Sequence, residues 1–178
     1  NADGQLGFGD TTNRNAPFKV QAGGVNRLPG SPAVFGQGPF FSLVKDTNGS
    51  LRGMGQNDHG ELGLSGIFDK SSSEVVTSSV KAVSLGSDYS LVVKSDGSLW
   101  GMGSNAFGQL GDGTLIDRGS PVQIAASGVV AVSASSSNRF SLFLESNGSL
   151  RGMGLNLNGE LGVDDAVQRL TPIHLASP

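Results

Sequence analysis

Two histidines are the only imidazoles in the chain, and they fall in unlike places: His59 in a glycine-rich stretch, His174 in an alternating apolar run. A Ser-His-Asp triad is recognised by convergence in space, not by order along the chain, and no motif here marks a nucleophile. A histidine zinc site takes three or four ligands, so two histidines fall short unless carboxylates join them. Cysteine is absent, which removes disulfides, thiolate metal sites and a cysteine nucleophile. Asp112-Gly113-Thr114 and Asp164-Asp165 offer oxygens of the kind calcium takes, but the D-x-D-x-D-G loop is missing. Asp and Asn in such turns bond backbone amides nearby. Gly53-Met54-Gly55 has the G-x-G of a phosphate loop with no helix to follow it. Glu61 and Glu160 alternate with Gln5 and Gln109 at one recurring position, an exchange that a catalytic carboxylate does not tolerate. The residue types therefore point away from an enzyme, a cofactor and a metal, and towards a structural or binding role.

The composition agrees. Glycine is abundant at 28 residues, only 15% of residues are charged, and Ser, Gly and Asn fill the place of the missing charge. That balance suits a β protein with many tight turns better than a disordered chain. The net charge is −3 with no basic run, so the footprint of a nucleic-acid-binding face is lacking. No apolar run reaches the roughly 18 residues of a membrane-spanning helix, and nothing resembles a signal peptide. A secreted and a cytoplasmic setting both fit, with a lean towards the secreted one. Asn48-Gly49-Ser50 and Asn147-Gly148-Ser149 match the N-x-S glycosylation pattern, but Asp96-Gly97-Ser98 takes the same place between two strands, which marks all three as hairpin turns.

These residues sit in a repeat. Ser98-Leu99-Trp100-Gly101-Met102-Gly103 reads as a strand, with Leu99, Gly101 and Gly103 on one face and Trp100 and Met102 on the other. It returns as Ser50 to Gly55 and as Ser149 to Gly154. A glycine-punctuated loop follows each strand and also opens the chain. Its asparagines, Asn1, Asn57, Asn105 and Asn156, are 56, 48 and 51 residues apart. Gly4, Leu6, Gly7, Gly60, Leu62, Gly63, Gly108, Leu110, Gly111, Gly159, Leu161 and Gly162 are its fixed, structural positions. Ala16 to Val20, Ser120 to Ile124 and Thr171 to Leu175 carry proline near their start, which favours an outer strand; Ser73-Glu74-Val75-Val76 fills the same slot without proline. Short apolar pieces (Ala33 to Phe35, Ala82 to Ser84, Ala131 to Ser133) and the runs after them (Phe41 to Val44, Tyr89 to Val93, Phe140 to Leu144) complete about four strands per unit of about 50 residues, which is a propeller blade. The division expected is 1–20 as a leading loop and outer strand, then repeats at 21–76, 77–124 and 125–178.

The pattern D/N-G-S-L-x-G-M-G-x-N-x-x-G-Q/E-L-G, followed by Pro-x-x-Val and a run ending in aromatic-Ser-Leu, resembles the regulator of chromosome condensation repeat. The middle copy is nearest to it, with Asn105 to Gly113 followed by Asp117 to Val122. The resemblance implies an all-β fold, a β-propeller of four-stranded antiparallel blades with about three and a half repeats of a seven-bladed ring. It also implies a chain that grips other proteins. The family's usual Trp is here Met54, Met102 and Met153, and its usual His before Ser-Leu is Phe41, Tyr89 and Phe140. The near identity of the copies suggests a bacterial-type member.

Three and a fraction repeats do not close a ring of the usual size. A further stretch of the propeller, or a second copy of the chain, is therefore expected against the end blades. Positions that break the repeat are the binding candidates. Asn26, Arg27 and Leu28 fall in an inserted loop near residues 25–31. Tyr89 and Arg139 stand with Phe40 and Phe140 at tight turns entering a strand, where blade-to-blade packing is the alternative to binding, and Phe107 and Leu157 occupy variable loop positions taken to share the face of Ala2 and Asp58. The function expected is a non-enzymatic scaffold that presents loops to a protein partner. An exchange factor for a small GTPase and a self-assembling half-propeller are the alternatives.

Overall fold

The computed structural model describes residues 1–6, 9–13, 35–46 and 49–176. Asn26, Arg27 and Leu28, the segment Ala16 to Val20, and Gly7 lie outside the described residues. The described strands form three sheets of four, each running in chain order. The first holds β1 (Phe35–Gln37), β2 (Phe41–Lys45), β3 (Leu51–Gly55) and β4 (Lys70–Thr77). The second holds β5 (Val80–Leu85), β6 (Tyr89–Lys94), β7 (Leu99–Gly103) and β8 (Arg118–Ala125). The third holds β9 (Val129–Ala134), β10 (Phe140–Glu145), β11 (Leu150–Gly154) and β12 (Arg169–Ala176). All pairings are antiparallel, and no helix occurs among the described residues.

The register repeats from sheet to sheet: Phe41 faces Gly55, Tyr89 faces Gly103 and Phe140 faces Gly154. The tight turns close as their sequence requires. Asp96 accepts a bond from the Ser98 amide at 2.8 Å, and Asn147 does the same for Ser149 at 2.9 Å. Glycines in the Gly-Met-Gly strands leave room on one face. A methyl at Gly101 would meet Leu110 at 3.1 Å and Leu91 at 3.3 Å.

The core lies between sheets. One face of the second sheet, with Val92 and Met102, packs against Phe41, Leu43, Leu51 and Leu62 of the first. The other face, with Tyr89, Leu91, Val93 and Leu99, packs against Phe143 and Met153 of the third. Each such side chain contributes about 1.5–3 kcal/mol when fully buried. The opposite faces of one strand thus serve two neighbours, as the alternation around Trp100 and Met102 predicts. The turns between first and second strands and the long loops between third and fourth strands emerge at the same end of the sheets, because Gln56, Ser104 and Leu155 donate to Phe40, Asp88 and Arg139 carbonyls.

Candidate protein-binding face

Each long loop is organised by one asparagine. Asn57, Asn105 and Asn156 are fully buried. Their Oδ1 atoms accept from the backbone amides of Leu62, Leu110 and Leu161 at 2.9, 3.0 and 2.9 Å. Their Nδ2 atoms donate to the carbonyls of Gly66, Thr114 and Asp165 at 2.8, 3.0 and 2.8 Å. Asn1 makes the same pair with Leu6 and Asp10. A single amide side chain holds one stretch of loop against another, because it has both the acceptor and the donors to do so.

The recurring Glu/Gln position is explained by the next bond. The backbone amides of Asp3, His59, Phe107 and Asn158 donate to the side-chain oxygens of Gln5, Glu61, Gln109 and Glu160 at 3.2, 2.9, 2.9 and 2.9 Å. The site needs an acceptor oxygen, which both residue types supply. By this ladder Phe107 corresponds to Asp3, His59 and Asn158, one place after the position of Ala2, Asp58 and Leu157.

That place is where a loop meets the next blade. His59 Nδ1 lies 2.8 Å from Asp117 Oδ2 in the second sheet's loop. The hydrogen bond to Asp117 raises the imidazole's pKa above its usual value, outweighing partial burial. Phe107 carries the Arg139 guanidinium 4.8 Å from its ring centroid, and Arg139 also reaches Asp88 at 3.9 Å. Arg139 has φ 51°, one of three non-glycine residues in the left-handed region among those described. His174 sits on β12, on the outer edge of the third sheet, away from the loop that carries His59. Among the described residues no three His, Asp or Glu side chains are grouped to hold a metal. Asp112 instead takes bonds from Thr114, Arg118 and Asn105, which outweigh its burial and hold its carboxyl below the usual range.

Glu61 is the exception in this face. It is fully buried, and its Oε1 has no hydrogen-bond partner among the described residues. Burial pushes its pKa up, against the bonds from backbone amides. Between its ordinary and raised pKa the folded protein holds the extra proton, so stability falls as pH rises through that window. The raised His59 pKa acts in the same sense above the ordinary imidazole value. Replacing Glu61 by Gln supplies a neutral side chain that keeps the acceptor. We expect Glu61→Gln to stabilise the protein by about 1 kcal/mol at neutral pH and to leave it unchanged at mildly acidic pH. Urea midpoints at the two pH values check this, and equal shifts at both would contradict it.

The other candidates divide. Tyr89 is fully buried, its hydroxyl bonded to Phe140 O, Ser135 N and Ser141 Oγ, and its pKa pushed up to about 12 by burial. It ties the second sheet to the third and offers a partner nothing. Arg139 and Phe107 remain partly exposed as a stacked pair, and Leu157 and Phe40 are exposed. Sequence inspection overlooked the most exposed apolar residues. Ile67 and Phe68, and Leu115 and Ile116, stand ten and eleven places after the loop asparagine, as does exposed Val167. Apolar side chains at one offset in a polar loop were the available signal.

Residues 96–144 match the family model for the regulator of chromosome condensation (RCC1) repeat, and residues 80–109 match a second model of that repeat. No curated protein sequence matches the chain. Among solved structures, human WBSCR16 is similar with a TM-score of 0.73 and 22% identity, over 97% of this chain and 45% of that one. Yeast RCC1 (Prp20) with Kap60 bound is similar with a TM-score of 0.66 and 18% identity, over 85% of this chain and 39% of that one. Prp20p of Saccharomyces cerevisiae, in a study of its binding to Gsp1p and histones, gives a TM-score of 0.58 and 21% identity over 79% and 38% of the two chains. The chain thus spans less than half the length of these structures. Residues 80–144 thus carry the regulator of chromosome condensation repeat, and the chain as a whole is an all-β run of propeller blades of one strand order.

Proposed function

We propose that this chain is a non-enzymatic binding module that presents the long-loop end of its blades to a protein partner. The observation that carries this reading is the recurrence of exposed apolar side chains on loops that buried asparagines hold rigid. Rigid loops bind without a large ordering cost. The structures titled for Kap60 bound to yeast RCC1 and for Prp20p binding to Gsp1p and histones lend support, since those relatives bind proteins. The test is cross-linking capture with Phe107→Ala/Arg139→Ala and, at the opposite end, Val130→Ser/Leu144→Ser. Loss of the captured protein with the first pair alone supports the reading; loss with the second pair alone overturns it.

A second reading is favoured by one observation. A methyl placed at Gly60 or Gly108 would strike the neighbouring blade, whereas one at Gly159 or Gly162 of the third loop has no described residue within 4 Å. A further blade, from a second copy or from more of the same propeller, fits that surface. Light scattering at several concentrations separates self-association from a monomer. The exchange-factor reading has no such observation, because the one insertion long enough to form a wedge, near residues 25–31, lies outside the described residues.

A further inference from the structure

The four loop segments, residues 1–13, 56–69, 104–117 and 155–168, hold ten of the chain's 15 acidic residues, and their bases, Arg14, Lys70, Arg118 and Arg169, stand only at the residue directly after each. The rest of the chain, by the same count, is basic. Some of these acids are engaged: Asp112 pairs with Arg118, Asp165 with Arg169 and Asp117 with His59. Asp58, Asp69 and Asp164 are exposed and have no basic side chain within 4 Å among the described residues. The most exposed apolar side chains stand on the same loops, with Ile67 at 59%, Phe68 at 78% and Ile116 at 63% exposure. Neighbouring loops are brought together across the blade boundary. Ser65 N donates to Gly119 O at 2.8 Å, the Ser65 and Ser120 hydroxyls meet at 2.9 Å, and His59 joins Asp117. Ile67 and Phe68 follow Ser65 by two and three residues, and Ile116 precedes Gly119 by three, so both loops carry apolar side chains close in sequence to the seam, with Asp58 and Asp69 on the first loop.

We propose that this seam docks a cationic polypeptide segment that also carries apolar side chains. The inference rests on the loop end being the binding end and adds the chemistry of what binds. An excess of acids, with Asp58 and Asp69 unpaired among the described residues, attracts a basic partner and speeds its approach, and apolar anchors on rigid loops supply the part of the affinity that salt does not screen. Neither feature alone specifies the occupant. An acidic surface without anchors would hold any polycation weakly, and anchors without charge would take any apolar surface.

The probe is a synthetic peptide of alternating Lys and Leu, measured by fluorescence anisotropy against the whole chain. A Lys–Ser peptide and a Glu–Leu peptide of the same length are the comparisons. The Lys–Leu peptide is expected to bind at least about ten-fold more tightly than either. Ile67→Ser/Phe68→Ser/Ile116→Ser is expected to weaken it about ten-fold, and Val130→Ser/Leu144→Ser to leave it unchanged. Because the three seam side chains are exposed, the variant keeps its fold, which the urea midpoint verifies. Binding that weakens but survives at about 1 M salt, where the Debye length is about 3 Å, fits the two-part surface. Equal binding of the Lys–Ser or Glu–Leu peptide overturns the proposal, as does a triple variant that binds like the wild type. Self-association that the triple variant abolishes also overturns it, in favour of a second copy. Should the partner captured through Phe107 and Arg139 not be displaced by the Lys–Leu peptide, the cationic class fails while the loop-end reading stands.

Discussion

Gly60→Ala is expected to destabilise the protein by about 2–5 kcal/mol, and Gly159→Ala, at the equivalent place one repeat-pair later, by only about 1 kcal/mol. Both glycines have φ in the left-handed region, +79° and +76°, so both substitutions incur the same backbone strain. They differ in what lies opposite. A methyl on Gly60 would overlap Gly119 Cα and approach Gly119 N to 2.9 Å, and backbone of a neighbouring strand cannot swing away as a side chain does. A methyl on Gly159 meets nothing within 4 Å. Urea unfolding of the two variants measures the difference directly. Equal losses would mean that the loop does not seat on the neighbouring sheet as described. A loss at Gly159 that appears only in an assembled form would identify the surface against which it packs.

The other large effect is at Asn105. Asn105→Ala is expected to cost about 3–4 kcal/mol, since it leaves the buried Leu110 amide without an acceptor and removes the donor to Thr114 O and Asp112 Oδ1. Asn105→Asp is the sharper comparison. It keeps the acceptor for Leu110, but sets a carboxylate where Nδ2 stood, 2.9 Å from another carboxylate oxygen and 3.0 Å from a carbonyl. A buried like-charge contact costs at least as much as the missing amide. Thermal unfolding of both variants, with loss of similar size in each, is the expected outcome. An Asp variant as stable as the wild type would show that the donor half of the amide contributes nothing.

Much of this was legible in the sequence because the repeat is short-range. Strand alternation around Trp100, Asp/Asn-Gly turns and the Asn-to-Leu loop spacing all act within about a dozen residues, so the order of residues fixes them. The Glu/Gln exchange announced a position that needs only an oxygen, and the bonds from His59 and Phe107 amides supply the reason. Contacts between repeats were not legible. His59 and Asp117 are 58 residues apart, and Tyr89 finds Ser135, Phe140 and Ser141 from 46 to 52 residues away. Nothing local to Tyr89 says that its hydroxyl closes a turn in the next sheet, so from sequence an aromatic at a strand entrance is open to blade packing and to binding alike. The role of Phe107 is likewise set between repeats, since its ring meets Arg139 of the next sheet, 32 residues on.

The reach of each loop to the adjacent sheet and no further has a consequence for how the chain comes apart. Bonds such as Gly9 N to Ser71 O, Ser65 N to Gly119 O and Gly113 N to Leu170 O couple neighbours in a line. Stability in such an array is a sum of unit and nearest-neighbour contributions, as in a row of magnets. The middle sheet, held on both sides, opens only when the whole array does. The third sheet, with no described residue against Gly159 and Gly162, can peel away while the others persist. Whatever covers that side would therefore do more than add contacts: it would turn a graded, end-first melting into a single cooperative one.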